Sequence, residues 1–501
     1  MQNVDILFTN AIVVTMDAQM QIFEPGAVAV SGKDIIAVGH EEKIAKSYKA
    51  VQNVDCKQKV LMPGLINSHT HVPMTLLRGL ADDLKLDVWL LGYMMPVERE
   101  FVSPDFVHLG TKLACAEMIR SGVTTFADMY YFEEDIAKAT VESGMRAICS
   151  QTVLKFPTPD AQSFEESLER AREFIVKWKG HTLITPSIGP HAPYTCTPEI
   201  LHAVTDLALE YDVPIHIHFS ETAYEVENSR KEFGMPVIPY AKKQRLFEAK
   251  VIAAHCVHID EGEMRTLQRA NASVAHNPSS NMKLASGIAH VGRMLELGLN
   301  VGIGTDGTAS NNDLDMFEEI RLAAFLSKLH REDPTSLPAS TALLMGTRMG
   351  AQALYLGDIT GSLESGKRAD LILVEINQLH NVPRFRRNPE GVYAQLVYAS
   401  KANDVTDVMV NGKWLMRERE LLTLNETELI HQSLEYAHKI DSFLIQREQS
   451  VLAKLISIGG ASEEESFEVQ VKVRLKDPQP ILAALSKPEI ENIRKRHYRE
   501  Y

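Results

Sequence analysis

Histidine is the residue type whose placement carries most chemistry in this chain, with 18 copies, several of them in close pairs. His69 and His71 close the run Pro63-Gly64-Leu65-Ile66-Asn67-Ser68-His69-Thr70-His71. On a strand, positions i and i+2 point to the same side, so both imidazoles face one way. Imidazole suits Zn²⁺ or Fe²⁺, although an isolated His-x-His is a weak pointer. A second pair, His216 and His218, stands in His-Ile-His-Phe-Ser-Glu with Glu221 at its end. His218 is the ligand candidate because it lies nearer the strand's C-terminal end. His216 is a core histidine or one that supports a ligand from behind. Glu221 is a solvated loop residue on the bland reading and a proton shuttle beside a metal. His255 follows the apolar run before Cys256, whereas His258, past the turn, is expected to face solvent. Asp306, in Gly-Thr-Asp-Gly, is either a turn residue or a carboxylate ligand and base.

These residues need a scaffold that gathers them. Residues 60–360 alternate strand-like and helix-like segments, with strands expected at 60–72, 124–129, 147–153, 182–193, 214–221, 250–258, 273–278 and 301–307. Helices are expected at 105–121, 163–179, 197–211 and 260–270. Eight strands with intervening helices read as a (β/α)8 barrel, whose active sites form at the C-terminal ends of the strands. His69 and His71, His218, His255 and Asp306 then fall at the ends of strands one, five, six and eight, and a joint metal site follows from that convergence. Two-metal barrels of this kind need a carboxylated lysine at the end of strand four. The stretch 182–191 contains none, so one metal is expected, with Lys155 after strand three as the lysine that stands against this reading.

Residues 1–59 and 361–425 are short strands separated by turns, such as Ser31-Gly32-Lys33-Asp34 and the hairpin pair Asn411-Gly412. They are expected to build one small β-sandwich domain from both chain ends. Residues 426–501 change character: a polar helical stretch at 426–455, an acidic run at 463–465, a possible strand at 467–475 and a basic end at 494–497. They read as an accessory tail, partly helical.

Composition narrows the function classes. The 501 residues are 45% hydrophobic and 24% charged, with a formal net charge of −14. That balance argues against a nucleic-acid or membrane-surface binder, which needs a basic face. The longest uncharged apolar stretch, 88–97, is far shorter than the ~18 residues of a spanning helix. The N-terminal segment lacks a basic, apolar leader pattern. Five dispersed cysteines with no Cys-x-x-Cys suit a reducing compartment, so a cytoplasmic location is expected.

Five longer stretches sharpen the reading: 63–84 (PGLINSHTHVPMTLLRGLADDL), 189–196 (GPHAPYTC), 253–259 (AAHCVHI), 276–289 (HNPSSNMKLASGIA) and 304–319 (GTDGTASNNDLDMFEE). The chain from about 1 to 425 resembles the 5-methylthioadenosine/S-adenosylhomocysteine deaminase branch of the amidohydrolase superfamily. That resemblance implies one Zn²⁺ per subunit, with Fe²⁺ as the alternative, held by His69, His71, His218 and Asp306. It implies catalytic roles for Glu221, His255 and Asp306. Glu98 would bind the sugar, and His191 the nucleoside; Glu221 and Asp306 would also touch substrate. The position of a substrate-binding arginine in some members is Gln151 here. Glutamine lacks the charge and bidentate fork that suit a carboxylate, so 5′-methylthioadenosine or adenosine is expected to be preferred over S-adenosylhomocysteine unless Lys155 substitutes. Trp89 and Met94–Met95, in the loop after strand one, either cover the substrate or pack in the core. The rival readings are a triazine or halo-heterocycle hydrolase, a guanine or pterin deaminase, and an inactive scaffold relative. A small-molecule partner and self-association into a homo-oligomer are expected; neither nucleic acid nor membrane is.

Overall fold

The computed structural model describes residues 1–84, 88–385 and 387–457. Eight parallel strands form one sheet in sequential order: Leu65–Thr70, Val123–Tyr130, Arg146–Val153, Ile184–Pro190, Ile215–Phe219, Val251–His255, Ser273–His276 and Asn300–Ile303. Strands one, two, three, five, six and seven are buried at every position. Burial on both faces is what a ring of helices around a parallel sheet requires. The seam between strands eight and one is bridged just past them. The Asp306 amide donates to the His69 carbonyl (2.9 Å), and Asn67 Nδ2 donates to Thr305 Oγ1 (2.8 Å).

The helices start where small polar residues permit. Ser103, Ser163 and Thr197 each accept the amide three residues on, at the heads of Pro104–Arg120, Phe164–Trp178 and Pro198–Tyr211. Asp260 and Glu263 cap Glu261–Arg269 reciprocally.

A second, mixed sheet joins the two ends of the chain. Its path runs Glu420–Leu421, Lys413–Arg417, Val405–Val410, Leu371–Val374, Val60–Pro63, Gln2–Val14, Ile22–Ser31 and Asp34–His40. Tyr48–Asp55 pairs in parallel with Gln2–Val14. The expected strand 60–72 is in fact two. Val60–Pro63 belongs to this second sheet and Leu65–Thr70 to the barrel, with the break at Gly64. A Cβ at Gly64 would stand 2.1 Å from Thr124 Oγ1, so only glycine lets the chain cross between the sheets there. A buried ion pair ties the sheets together. Arg146 Nε and Nη2 reach Asp370 Oδ2 and Oδ1 at 2.9 and 3.2 Å, while the Asn411 amide shares Oδ1 at 2.6 Å.

Residues Glu426–Ser457 form one helix, as expected for 426–455. The segments at 463–465, 467–475 and 494–497 lie outside the described residues. Among the described residues, no helix is long and apolar enough to cross a membrane. All five cysteines are buried and unpaired.

Candidate metal and substrate site

The candidate ligands converge at the C-terminal mouth of the barrel. His69 Nε2 and His71 Nε2 lie 3.5 and 3.3 Å from Asp306 Oδ1. His255 Nε2 lies 3.9 Å from Asp306 Oδ2 and 4.0 Å from Glu221 Oε2. Ligand atoms of His69, His71 and Asp306 cluster within 4.8 Å, and so do those of His69, His218 and His255. His69 belongs to both groups and is fully buried.

Each imidazole is oriented from behind. His71 Nδ1 meets the Met129 carbonyl (2.6 Å), and His218 Nδ1 meets the His191 carbonyl (2.7 Å). A carbonyl only accepts, so both rings carry their proton on Nδ1 and turn a bare Nε2 inward. His69 Nδ1 contacts His216 Nε2 (2.8 Å), and His216 Nδ1 contacts Ser150 Oγ (3.3 Å). His216 therefore sits behind a candidate ligand. The buried Nε2 of His69 has no hydrogen-bond partner. A buried polar atom without a partner costs free energy, and a cation among these ring nitrogens removes that cost. Imidazole nitrogens and one carboxylate are a donor set zinc takes readily, so the residues present fit the metal.

Burial pulls the His69 imidazole down to about 4, although Asp306 pulls it up. Burial and neighbouring imidazoles bring His191 to about 4, and His218 and His216 lie well below the ordinary histidine range for the same reasons. These rings are neutral and fit to ligate at neutral pH. His255 goes the other way: burial works against its charge, but the carboxylates of Glu221 and Asp306 outweigh it and raise the ring. Burial alone would raise Asp306, yet His69, His255 and His71 hold it well below the usual carboxylate range. Its oxygens are fixed by Gly307 N (2.7 Å), Ser280 Oγ (2.6 Å) and Ser310 Oγ (3.1 Å). His255 Nδ1 meets Asn281 Oδ1 at 2.9 Å.

The backbone bends sharply where these side chains emerge. His255 and Asp306 have φ of 69° and 64°, and Ser220, before Glu221, has 50°. Non-glycine residues rarely adopt this left-handed region outside turns and functional sites. Glu225 accepts the amides of Ser220 and Glu221 at 3.0 and 2.8 Å and holds the bend. Glu221 itself accepts the Ser286 hydroxyl at 3.3 Å.

The expected substrate contacts surround this centre in different ways. Glu98, on helix Met95–Phe101, is buried and accepts the Tyr130 hydroxyl at 2.6 Å. Burial raises its pKa against the pull of Tyr130. His191 packs its ring 4.8 Å from that of His218 and holds Nδ1 on Thr195 Oγ1 at 3.0 Å. Gln151 is buried, with Nε2 committed to Asp160 Oδ2 (2.8 Å). Lys155 donates to the Tyr194 carbonyl at 3.0 Å. His258, expected to face solvent, is half-buried and has Nε2 on the Ser286 carbonyl (2.6 Å). Trp89 and Met94 are buried in the core cluster; Met95 is exposed. Tyr130, Ser280, Ser310, Asn281 and Glu225 escaped the sequence reading. Ser280 and Asn281 lie within the quoted stretch 276–289, yet a serine or asparagine in a motif does not reveal which carboxylate or ring it holds.

A family model described as the amidohydrolase family matches residues 60–415. The 5-methylthioadenosine/S-adenosylhomocysteine deaminase 1 of Syntrophus aciditrophicus (strain SB) is 42% identical over 440 residues, spanning 88% of this chain and 98% of the relative. The 5′-deoxyadenosine deaminase of Methanococcoides burtonii is 41% identical over 442 residues, spanning 87% and 98%. A solved adenosine deaminase from Xanthomonas campestris, with bound zinc, is 38% identical with a TM-score of 0.85, covering 88% of this chain and 99% of that one.

Proposed function

The chain belongs to the amidohydrolase family, and we propose that it hydrolyses the 6-amino group of 5′-methylthioadenosine and related adenine nucleosides, releasing ammonia and the hypoxanthine nucleoside. The observation that carries this reading is the convergence of His69, His71, His218, His255 and Asp306 beside a buried Glu98. His69, His71, His218 and Asp306 are proposed to hold one Zn²⁺. When bound, the ion acts as a Lewis acid that lowers the pKa of a water toward 7 and so supplies a nucleophile at neutral pH.

The chain's own residues do the rest. Asp306, kept ionised by its imidazole neighbours, accepts the proton of the attacking water. His255, fixed through Asn281, orients that water toward C6 of the purine. Attack at C6 drives electrons onto N1, and Glu221 delivers a proton there. Asp306 passes the proton it took to the 6-amino group and takes up the C6 hydroxyl proton as the C–N bond breaks, so that ammonia leaves and the C6 carbonyl forms. Glu98, pinned by Tyr130, accepts hydrogen bonds from the ribose hydroxyls, and His191 contacts the nucleoside. These contacts hold C6 in line and lower the entropic part of the barrier. A free base or a triazine offers Glu98 no diol, which favours a nucleoside over the rival ring substrates.

The selectivity expected from Gln151 gains support from its surroundings. Its amide is committed to the buried Asp160, an anion where a homocysteine carboxylate would want a cation. Arg170 bonds Glu166, and Arg172 bonds Glu210, both on the exposed outer helices. A comparison of kcat/KM for 5′-methylthioadenosine, adenosine and S-adenosylhomocysteine tests the reading, with S-adenosylhomocysteine expected to be poorest. A preference for S-adenosylhomocysteine refutes the selectivity. Ammonia from guanine or a triazine but none from adenosine refutes the function.

A further inference from the structure

Glu98 does not stand on a barrel strand. It stands on the short helix Met95–Phe101, near the end of a segment that leaves strand one after His71 and rejoins the barrel at Pro104. A sugar contact carried this way is only as well placed as the segment beneath it. Tyr130 holds Glu98 from inside. From outside, the segment meets helix Glu426–Ser457, which begins beyond residue 415, where the family match ends.

The outer contacts are specific. Phe443 stands edge-on to Phe101, with centroids 5.5 Å apart and planes at 85°. Tyr436 packs the same way on Phe106, at 5.3 Å and 87°. Leu429 and Ile440 are buried under the helix. Arg447 Nη1 donates to the Gly92 carbonyl at 2.5 Å. Gly92 lies in the π-helical turn Val88–Met94, immediately before the Glu98 helix. In α-helical register its carbonyl would pair with the amide of residue 96. That residue is Pro96, which has no N–H. Arg447 thus bonds a carbonyl that the α-register cannot close, through a charge-assisted donor.

We propose that the C-terminal helix buttresses the substrate-binding segment, with Arg447 and Phe443 as positioning residues that act through Glu98 on the sugar. The proposal rests on the reading of Glu98 as the ribose contact. A half-exposed arginine contributes little to global stability, but a binding group displaced by about 1 Å loses much of its effect. If the lost interaction is made equally in the ground and transition states, KM rises and kcat does not change.

In full-length, zinc-loaded protein, Arg447→Ala and Phe443→Ala are each expected to raise KM for adenosine roughly tenfold, with kcat and zinc content unchanged. Arg447→Lys, which still donates, is expected to recover part of the loss. With 2′,3′-dideoxyadenosine, which has no diol for Glu98, the same variants are expected to match the parent. Arg447→Ala is also expected to add nothing to Glu98→Gln. Equal penalties on both nucleosides, or additive penalties in the double variant, overturn the buttress while leaving the ribose contact standing. If Glu98→Gln itself fails to discriminate the two sugars, the ribose reading falls, and with it the route by which the helix would act.

Discussion

Replacing Glu221 with glutamine separates proton delivery from metal holding. Glutamine has nearly the same shape, so its carbonyl can still accept the Ser286 hydroxyl that Glu221 Oε1 now takes at 3.3 Å. Two things are lost: the transferable proton of the acid form, and the charge that the ionised form places 4.0 Å from His255 Nε2. A positioned general acid is worth about 10²–10⁴ in rate, or about 3–5 kcal/mol of barrier. The charge has a separate signature. Burial pulls His255 down and Glu221 is the foremost group holding it up, so Glu221→Gln moves any pH limb set by His255 to lower pH. Steady-state ammonia release across pH, with zinc measured on the same samples, reads both effects. The expected result is full zinc content and kcat down by about two to four orders of magnitude on adenosine. Near-normal turnover of adenosine removes Glu221 from proton transfer. A loss of turnover that tracks a loss of zinc would reassign it to holding the site together.

Two further outcomes follow from the geometry. A Cβ at Gly304 would stand 2.6 Å from Asn277 Oδ1 and 2.7 Å from the backbone N and O of His69, so Gly304→Ala pushes on the first ligand strand. It should cost at least about 1–3 kcal/mol by overpacking and lower zinc occupancy, measured by metal analysis and thermal melting; an unchanged metal content refutes this. In metal-stripped protein, burial holds His69 and His191 down at about 4 in the folded chain, below the ordinary imidazole value of about 6.5. Between those values the unfolded chain binds more protons, so stability falls as pH drops from about 6.5 toward 4, by up to about 3 kcal/mol per histidine. The raised His255 opposes this: its contribution is full below the ordinary imidazole value and is lost as pH rises through its folded value. A urea midpoint that fails to fall between pH 7 and pH 5 contradicts the balance.

The barrel was legible because its period is strong: apolar runs ending in His69, His218, His255 and the Gly-Thr-Asp306 turn recur between capped amphipathic helices. The break inside 60–72 was not, because nothing local distinguishes one buried strand from two that change sheets; the cause is the approach of Thr124 to Gly64, a contact across 60 positions. The strand Tyr48–Asp55 falls within 1–59, where short strands are expected, but its own bounds are hard to read for a related reason. It pairs in parallel on one side of Gln2–Val14 and is mostly exposed, so it lacks the apolar alternation that marks a half-buried strand. Residues that would meet the metal were readable by type. Those that orient them were not, since Met129 and His191 act through backbone carbonyls, which every residue has.

That last class explains why the site holds its form. Four of the converging imidazoles have Nδ1 engaged from behind, by the Met129 carbonyl, the His191 carbonyl, the His216 ring and the Asn281 amide oxygen. For His71 and His218 the acceptor is a strand-end backbone atom that no side-chain replacement removes. The tautomer that bares Nε2 is therefore written into the barrel's own chain path. For His69 it depends instead on a relay through His216 to Ser150, which makes the most buried of the proposed ligands the one most open to disruption by a change two contacts away. Since burial also keeps His69, His216 and His218 uncharged, the pocket combines fixed lone pairs with neutral rings around one carboxylate. That combination disfavours any occupant other than a cation.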